Sequence, residues 1–268
     1  MNDDTILKSE LENWWATGIS DIRPGKIRLR GHDISELILD WDFVSVIWLM
    51  AMGTTPTDSQ SRLFEAALVA SVDHGPQAPS IAAARMAATC GIGLNSAMAT
   101  GVNLLGDVHG GAGQQCVELL YEIEELEDSG VTASDAAQKV VDAWRLRTKY
   151  IPGFGHRFHA YDPRRDPLLG LVDAAIAEGA VGGRYLRIGK EIEAILSQGR
   201  TRAIPMNVDG ATAIIYAELG FPAPLARGVF ALARSVGILA HAWEESNNGT
   251  RIKGPMPRSI NPRYLGST

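Results

Sequence analysis

The chain has 268 residues, 46% of them hydrophobic and 21% charged, with a formal net charge of -6 at pH 7. That length suits one compact unit or a core with a smaller lobe, and the acidic balance argues against nucleic acid as the main partner. Only Cys90 and Cys116 are present, too few for a disulfide framework or a four-thiolate metal site, so a reducing, cytoplasmic setting is expected.

Taken in chain order, the start Met1-Asn2-Asp3-Asp4 is acidic and leads into no apolar stretch of the secretory kind. Lys26 to Arg30 reads as a short strand or hairpin, and little else alternates with period two. Phe43, Val46, Ile47 and Met50 then mark one apolar helix face that stops at Gly53, with Pro56 beyond it. Thr57 is placed to cap the next helix, which carries Leu63, Ala66, Ala67 and Ala70. Ser80 to Thr100 is Ala-rich and reads as one long, close-packed helix. Further helices are predicted over 112–126, 134–146, 167–177, 189–197, 210–219 and 223–242. No run reaches 18 uninterrupted apolar residues, so no membrane span is expected. The predicted fold class is all-α.

The chemistry-bearing residues lie in the breaks between helices. Gly183 to Lys190 imitates a phosphate-binding loop, but five residues instead of four separate Gly183 from Gly189, and Glu191 stands where Ser or Thr belongs. The 101–113 region lacks the strand-to-helix setting of a dinucleotide fingerprint. His156 and His159 have no neighbouring carboxylate or Cys to complete a metal site, so no metal is expected.

Four segments remain: Asp73-His74-Gly75-Pro76, Gly106-Asp107-Val108-His109-Gly110-Gly111-Ala112-Gly113, Pro152-Gly153-Phe154-Gly155-His156-Arg157 with Asp162-Pro163-Arg164 after it, and Pro205-Met206-Asn207-Val208-Asp209-Gly210. Reversible enolate chemistry needs a base for a weakly acidic C–H, a donor for the enolate oxygen, a second donor on a ketone, and cations for carboxylates. Asp209 suits the base if an apolar site raises its pKa; it would equally serve as N-cap of the following helix. His109 precedes a glycine-rich helix start, whose positive end would keep its imidazole neutral. Gly153 and Gly155 let backbone approach a ligand beside His156, or simply make a turn. Arg227, Arg234 and His241 recur every seven residues along an otherwise apolar helix. A stripe of that kind requires either a bound anion or internal ion pairs.

Together these segments resemble the citrate synthase superfamily, nearly end to end, from Arg30-Gly31-His32-Asp33-Ile34 to Arg251. The resemblance implies an all-α fold, with a large domain from residues 1–110 and 224–268 and a smaller one from 111–223. It makes His109 the enol-stabilising histidine, His156 the histidine on the 2-oxo acid carbonyl, and Asp209 the general base. His74, Arg164 and Arg234 would hold substrate carboxylates, and Pro152, Gly153, Phe154, Gly155 and Arg157 the coenzyme A loop. Asp73-His74-Gly75-Pro76, Asn207-Val208-Asp209-Gly210 and Arg251-Ile252-Lys253-Gly254 look closer to citryl-CoA lyase than to the synthases. The activity so implied is reversible cleavage of citryl-CoA to acetyl-CoA and oxaloacetate. A citrate or 2-methylcitrate synthase is the alternative, and a non-catalytic acyl-CoA-binding paralogue a third. Coenzyme A would come as a thioester substrate, with no permanent cofactor, no nucleic acid and no membrane, in a homodimer or larger homo-oligomer. Arg164 stands one residue nearer His156 than in common synthases, and the synthases' closing Arg-Pro-Arg is absent. Arg251 and Arg258 are candidates for a partner subunit's site.

Overall fold

The structure, a computed structural model, describes residues 10–156, 161–257 and 259–266. The chain divides into two compact units, residues 1–61 and 62–268.

The first unit opens with an antiparallel three-stranded sheet, β1 (Ser20–Arg23), β2 (Lys26–Leu29) and β3 (His32–Asp33), paired in sequence order. The hairpin expected at 26–30 is its centre. Strands of two to four residues are too short to show alternation, which is why the flanking pair escapes a sequence reading. Asp33 then caps α1 (Ile34–Asp40), accepting the Ser35 N–H at 3.0 Å. Asp42 caps α2 (Phe43–Met52) in the same way through Ser45. As predicted, α2 ends on Gly53, left-handed at φ 75°, whose N–H closes on the Leu49 carbonyl. Thr57 and Gln60 exchange side-chain bonds with each other's backbone N–H, a capping box that starts α3 (Asp58–Ser71).

The second unit holds two clusters of helices. α4 (Pro79–Ala88) and α5 (Leu94–Val102) pack with the last helix, α11 (Ala223–Asn247), through Ile81, Ala84, Ala97, Ile238 and Ala242. The predicted single helix over 80–100 is therefore two. The chain turns at Gly91, where φ is 83°, and Gly93 caps α5. The alanines are explained by proximity: a Cβ on Gly101 of α5 would lie 2.7 Å from the Ser80 carbonyl oxygen. The other cluster comprises α6 (Ala112–Asp128), α7 (Ala133–Arg147), α8 (Arg165–Ala177), α9 (Arg184–Ser197) and α10 (Val208–Glu218). α10 runs through its centre, with every residue from Gly210 to Ala217 buried. α11 touches both clusters, lying against α6 and α10 as well.

By length and composition α11 could cross a membrane, yet its Ile238 and Ala242 pack against α4 and α5 and its Arg227, Arg234 and His241 are engaged within the fold. Three of its positions, on one helical face, grip the strand of chain after α3. Arg234 Nε donates to the Ser71 carbonyl at 2.9 Å, the Gly237 N–H to the Val72 carbonyl at 3.1 Å, and His241 Nε2 meets Asp73 Oδ1 at 3.3 Å. A Cβ on Gly237 would land on the Val72 carbonyl oxygen. Gly237→Ala therefore gains about 1 kcal/mol of helix propensity but overpacks backbone. The net expectation is a loss of about 1–3 kcal/mol, read as a lower urea midpoint at unchanged slope.

Candidate active site

The base candidate is set by its neighbour. Asn207 Oδ1 accepts the N–H groups of Asp209 (2.9 Å) and Gly210 (3.2 Å), so Asn207, not Asp209, caps α10. Asp209 sits in the first turn with its carboxyl released from capping. The other end of the Asn207 amide donates to the Gly155 carbonyl at 2.6 Å. Around it, Gly155 N–H donates to Pro205 O and Asn207 N–H to Gly153 O, while Phe154 bridges Met206. The 152–156 loop is thus tied to the start of α10 by backbone and side chain together. Gly153 has φ 85°, and a Cβ there would lie 2.6 Å from Cys116 Sγ and 2.8 Å from Gly210 Cα. The glycine makes the turn, and the close approach it allows is to the start of α10.

Only part of the Asp209 residue is exposed, and its carboxyl is wrapped by protein. Burial pushes its pKa up; Arg164 and Arg234 pull it partly back. The two arginines are held differently. Arg164 clamps Asp162 bidentately, Nε to Oδ1 and Nη2 to Oδ2, each at 2.9 Å, with Nη1 3.4 Å from the Ala70 carbonyl. Arg234 is buried, its guanidinium lying 4.9 Å from the centre of the Phe230 ring.

His109 Nε2 accepts the Ser80 N–H at 3.2 Å and lies 2.9 Å from Ser80 Oγ. Ser80 is in the first turn of α4. The helix whose positive end meets the imidazole is therefore α4, reached across 29 residues, rather than the α6 start that follows His109 in sequence. An N–H donating to Nε2 leaves the ring proton on Nδ1, available as a donor. Burial, then the charge of Arg234, holds the His109 pKa below its ordinary value. His74 is lowered too, by partial burial and then by Arg234, Arg164 and His156. Its ring lies 6.2 Å, centre to centre, from that of His156. Arg234 therefore acts on Asp209, His74 and His109, and Arg164 on Asp209 and His74, which with the His74–His156 contact links these six of the predicted residues.

Pro152, Gly153 and Phe154 are buried in the loop, leaving backbone as their means of contact, and Gly155 is half-buried. Arg157, His159 and Arg258 lie outside the described residues. Of the seven-residue stripe, Arg227 turns to Asp107, an internal ion pair. Arg251 is exposed. Among the described residues no group of three His, Cys, Asp or Glu is gathered as for a metal ion. Ser80 and Asp162 are members that a sequence reading does not assign roles. Asp162 had a signal, an Asp two residues before an Arg; Ser80 had none.

Asp162 is held at about 2 rather than 3.8; burial opposes its ionisation, but the bonds from Arg164 and from the Val208 N–H outweigh it. A lowered carboxylate stabilises the fold above its unfolded pKa, so this contribution is full above about pH 4 and lost as pH falls toward 2. Asp162→Asn should cost about 2 kcal/mol in urea unfolding at pH 7, and the gap to wild type should narrow below pH 4.

The sequence pattern of the citrate synthase C-terminal domain matches residues 52–256. Citrate synthase 1 of Mycobacterium tuberculosis is 34% identical over 212 residues, 77% of this chain and 47% of that protein. The citrate synthase of Haloferax volcanii is 28% identical over 238 residues, 88% of this chain and 59% of that protein. The chain thus spans less than two thirds of these relatives' lengths. Among solved structures, citryl-CoA lyase from Hydrogenobacter thermophilus superposes with a TM-score of 0.82 at 31% identity, covering 96% of each chain. ATP citrate lyase from Methanothrix soehngenii shares the fold at 20% identity and TM-score 0.80, over 99% of this chain and 45% of that one. With the domain pattern running across the helices that carry all four segments, the chain belongs to the citrate synthase family.

Proposed function

We propose that the protein cleaves citryl-CoA, or a close analogue, reversibly to acetyl-CoA and oxaloacetate. The observation that carries the reading is geometric: Asn207 caps α10 and leaves the buried Asp209 carboxyl free, while His109 Nε2 accepts the Ser80 N–H, and burial raises the first group and lowers the second. Groups pushed apart in this way take opposite proton-transfer and electrophilic roles. In the cleavage direction His156 takes the proton of the tertiary alcohol as the carbon–carbon bond breaks. The electron pair of that bond passes to the thioester as an enolate, whose oxygen accepts a hydrogen bond from His109 Nδ1. Protonated Asp209 delivers its proton to the enolate carbon, giving acetyl-CoA, and the alkoxide becomes the ketone of oxaloacetate. The condensation runs through the same residues reversed.

His74, Arg164 and Arg234 are the carboxylate ligands of this reading. Nε and Nη2 of Arg164 are committed to Asp162 and Nη1 to the Ala70 carbonyl, so what it offers substrate is the second N–H of each terminal nitrogen. Coenzyme A would lie along the backbone of Pro152 to Gly155. Arg200 and Arg202, exposed in the turn before Pro205, are suited to its phosphates. The cluster α6–α10 carries His156, Arg164 and Asp209, while α11 and the segments beside it carry Arg234, His74 and His109. We propose that these correspond to the small and large domains, 111–223 against 1–110 and 224–268, closing over substrate.

A synthase reading is favoured by the 34% identity to a citrate synthase. Two reactions separate the readings. Citryl-CoA is offered with malate dehydrogenase and NADH, to follow oxaloacetate; acetyl-CoA and oxaloacetate are offered with a thiol reagent. Oxaloacetate release in the first without free thiol in the second is the lyase outcome, and free coenzyme A in the second is the synthase outcome. Silence in both would sink the assignment of substrates. In either active case Asp209→Asn should lower turnover by about a thousandfold while coenzyme A still binds. Normal turnover by that variant would remove Asp209 from the base role.

A homodimer is proposed from the exposed stripe Leu232, Val236, Leu239 and Trp243, which recurs along one side of α11 at helical spacing. Val236→Arg should then convert a dimer to a monomer in light scattering at micromolar concentration. A wild-type monomer, or an unchanged dimer in the variant, would rule this face out.

A further inference from the structure

A line of charged side chains runs inward from residue 253 to residue 73 and takes no part in the chemistry above. Lys253 Nζ donates to both oxygens of Glu245, at 2.8 and 3.0 Å, and the Glu245 side chain is fully buried. Arg85 reaches the same carboxylate at 2.5 Å and Glu244 at 2.7 Å. From Nη1, Arg85 also donates to His241 Nδ1 at 2.9 Å. The line is docked by residues after α11: Ile252 N–H donates to the Thr89 carbonyl and Lys253 N–H to Thr89 Oγ1. Ile252 adopts φ 51°, a left-handed conformation that a β-branched residue keeps only when its surroundings impose it.

The tautomer follows from chemistry. A guanidinium only donates, so Nδ1 of His241 is an acceptor and the ring proton resides on Nε2, which faces Asp73 Oδ1 at 3.3 Å. The other oxygen of Asp73 accepts the Gly75 N–H at 3.1 Å, and Gly75 turns the chain at φ 82°. Asp73 is thus gripped on both oxygens, one by α11 and one by the residue just past His74. His74 stands between these two fixed points.

An ion cluster placed only for stability would leave the substrate ligands indifferent to its state. The geometry here ends on the residue preceding His74, and its last donor is a histidine held in one tautomer. We infer that His241 is a positioning residue: with Arg85 fixing its tautomer, it holds Asp73 and so sets the His74 imidazole toward His156, Arg164 and Arg234. The inference deepens the proposed function, since it rests on His74 as a carboxylate ligand.

Calorimetric titration of oxaloacetate and, separately, of coenzyme A into the full chain tests it, with wild type, His74→Ala, His241→Leu, His241→Gln and Asp73→Asn. Supporting residues behind a ligand are worth about 10- to 100-fold in affinity. His241→Leu should weaken oxaloacetate at least about tenfold and leave coenzyme A unchanged, whereas the Gln amide, able to donate to Asp73, should restore binding to within about threefold. Asp73→Asn should match the Leu variant and carries the test if His241→Leu does not fold. The positioning role is overturned if His74→Ala weakens oxaloacetate but His241→Leu and Asp73→Asn do not. It is equally overturned if His241→Leu weakens both ligands alike without rescue by Gln. A wild type that does not bind oxaloacetate, or a His74→Ala that binds it normally, overturns the carboxylate-site reading itself, and the positioning role with it.

Discussion

Asn207 makes three hydrogen bonds with one side chain, two to the backbone at the start of α10 and one to the Gly155 carbonyl. Each is modest alone, about 1 kcal/mol net. Their geometry matters more than their sum. By satisfying the first N–H groups of α10, Asn207 leaves Asp209 helical but unoccupied, and by reaching Gly155 it sets how far His156 stands from that carboxyl. The contact also demands that two backbones touch, which Gly153 and Gly210 allow and a Cβ at either would prevent. The loop, the helix and both ionisable groups are therefore one mechanical unit.

Around that unit the charges are arranged by solvation as much as by pairing. Arg164 has its anion, Asp162, within the fold, so much of its charge is spent locally. Arg234 has a carbonyl and an aromatic face instead of a carboxylate, and burial lowers its own pKa. A cation in that state favours any anion nearby and disfavours protonation of imidazoles. It lowers the pKa of Asp209 and of both histidines alike, so the separation of a raised acid from a neutral donor comes from burial, which raises the carboxyl and lowers the imidazoles. The α4 N-terminus works in the same direction at His109 through the Ser80 N–H.

Much of this was legible in the sequence because it is local. Gly53 and Thr57 punctuate helices by rules of neighbouring residues, and the loops bearing His109, His156 and Asp209 stand out against a helical background. What was not legible depends on which helices cross. The break at 89–93 hides in an Ala-rich stretch whose composition suits a helix throughout, and only the left-handed Gly91 reveals it. Ser80 meets His109, and Arg85 meets His241, across 29 and 156 residues; no spacing rule reaches so far. The capping ambiguity at Asp209 was resolved by a side chain two residues away whose orientation depends on Gly155.

The shared arginines carry a thermodynamic consequence. Burial raises the Asp209 pKa, and Arg164 and Arg234 pull it back toward its ordinary value. An anion arriving at those guanidiniums takes over the field that Asp209 was using, so the carboxyl becomes easier to protonate. Linkage makes the effect mutual: a protonated Asp209 leaves the arginines freer to attract the anion. Occupancy by a carboxylate is then coupled to proton uptake at Asp209. Its heat varies with the ionisation enthalpy of the buffer, and the carboxylate itself loads the proton that a later step spends.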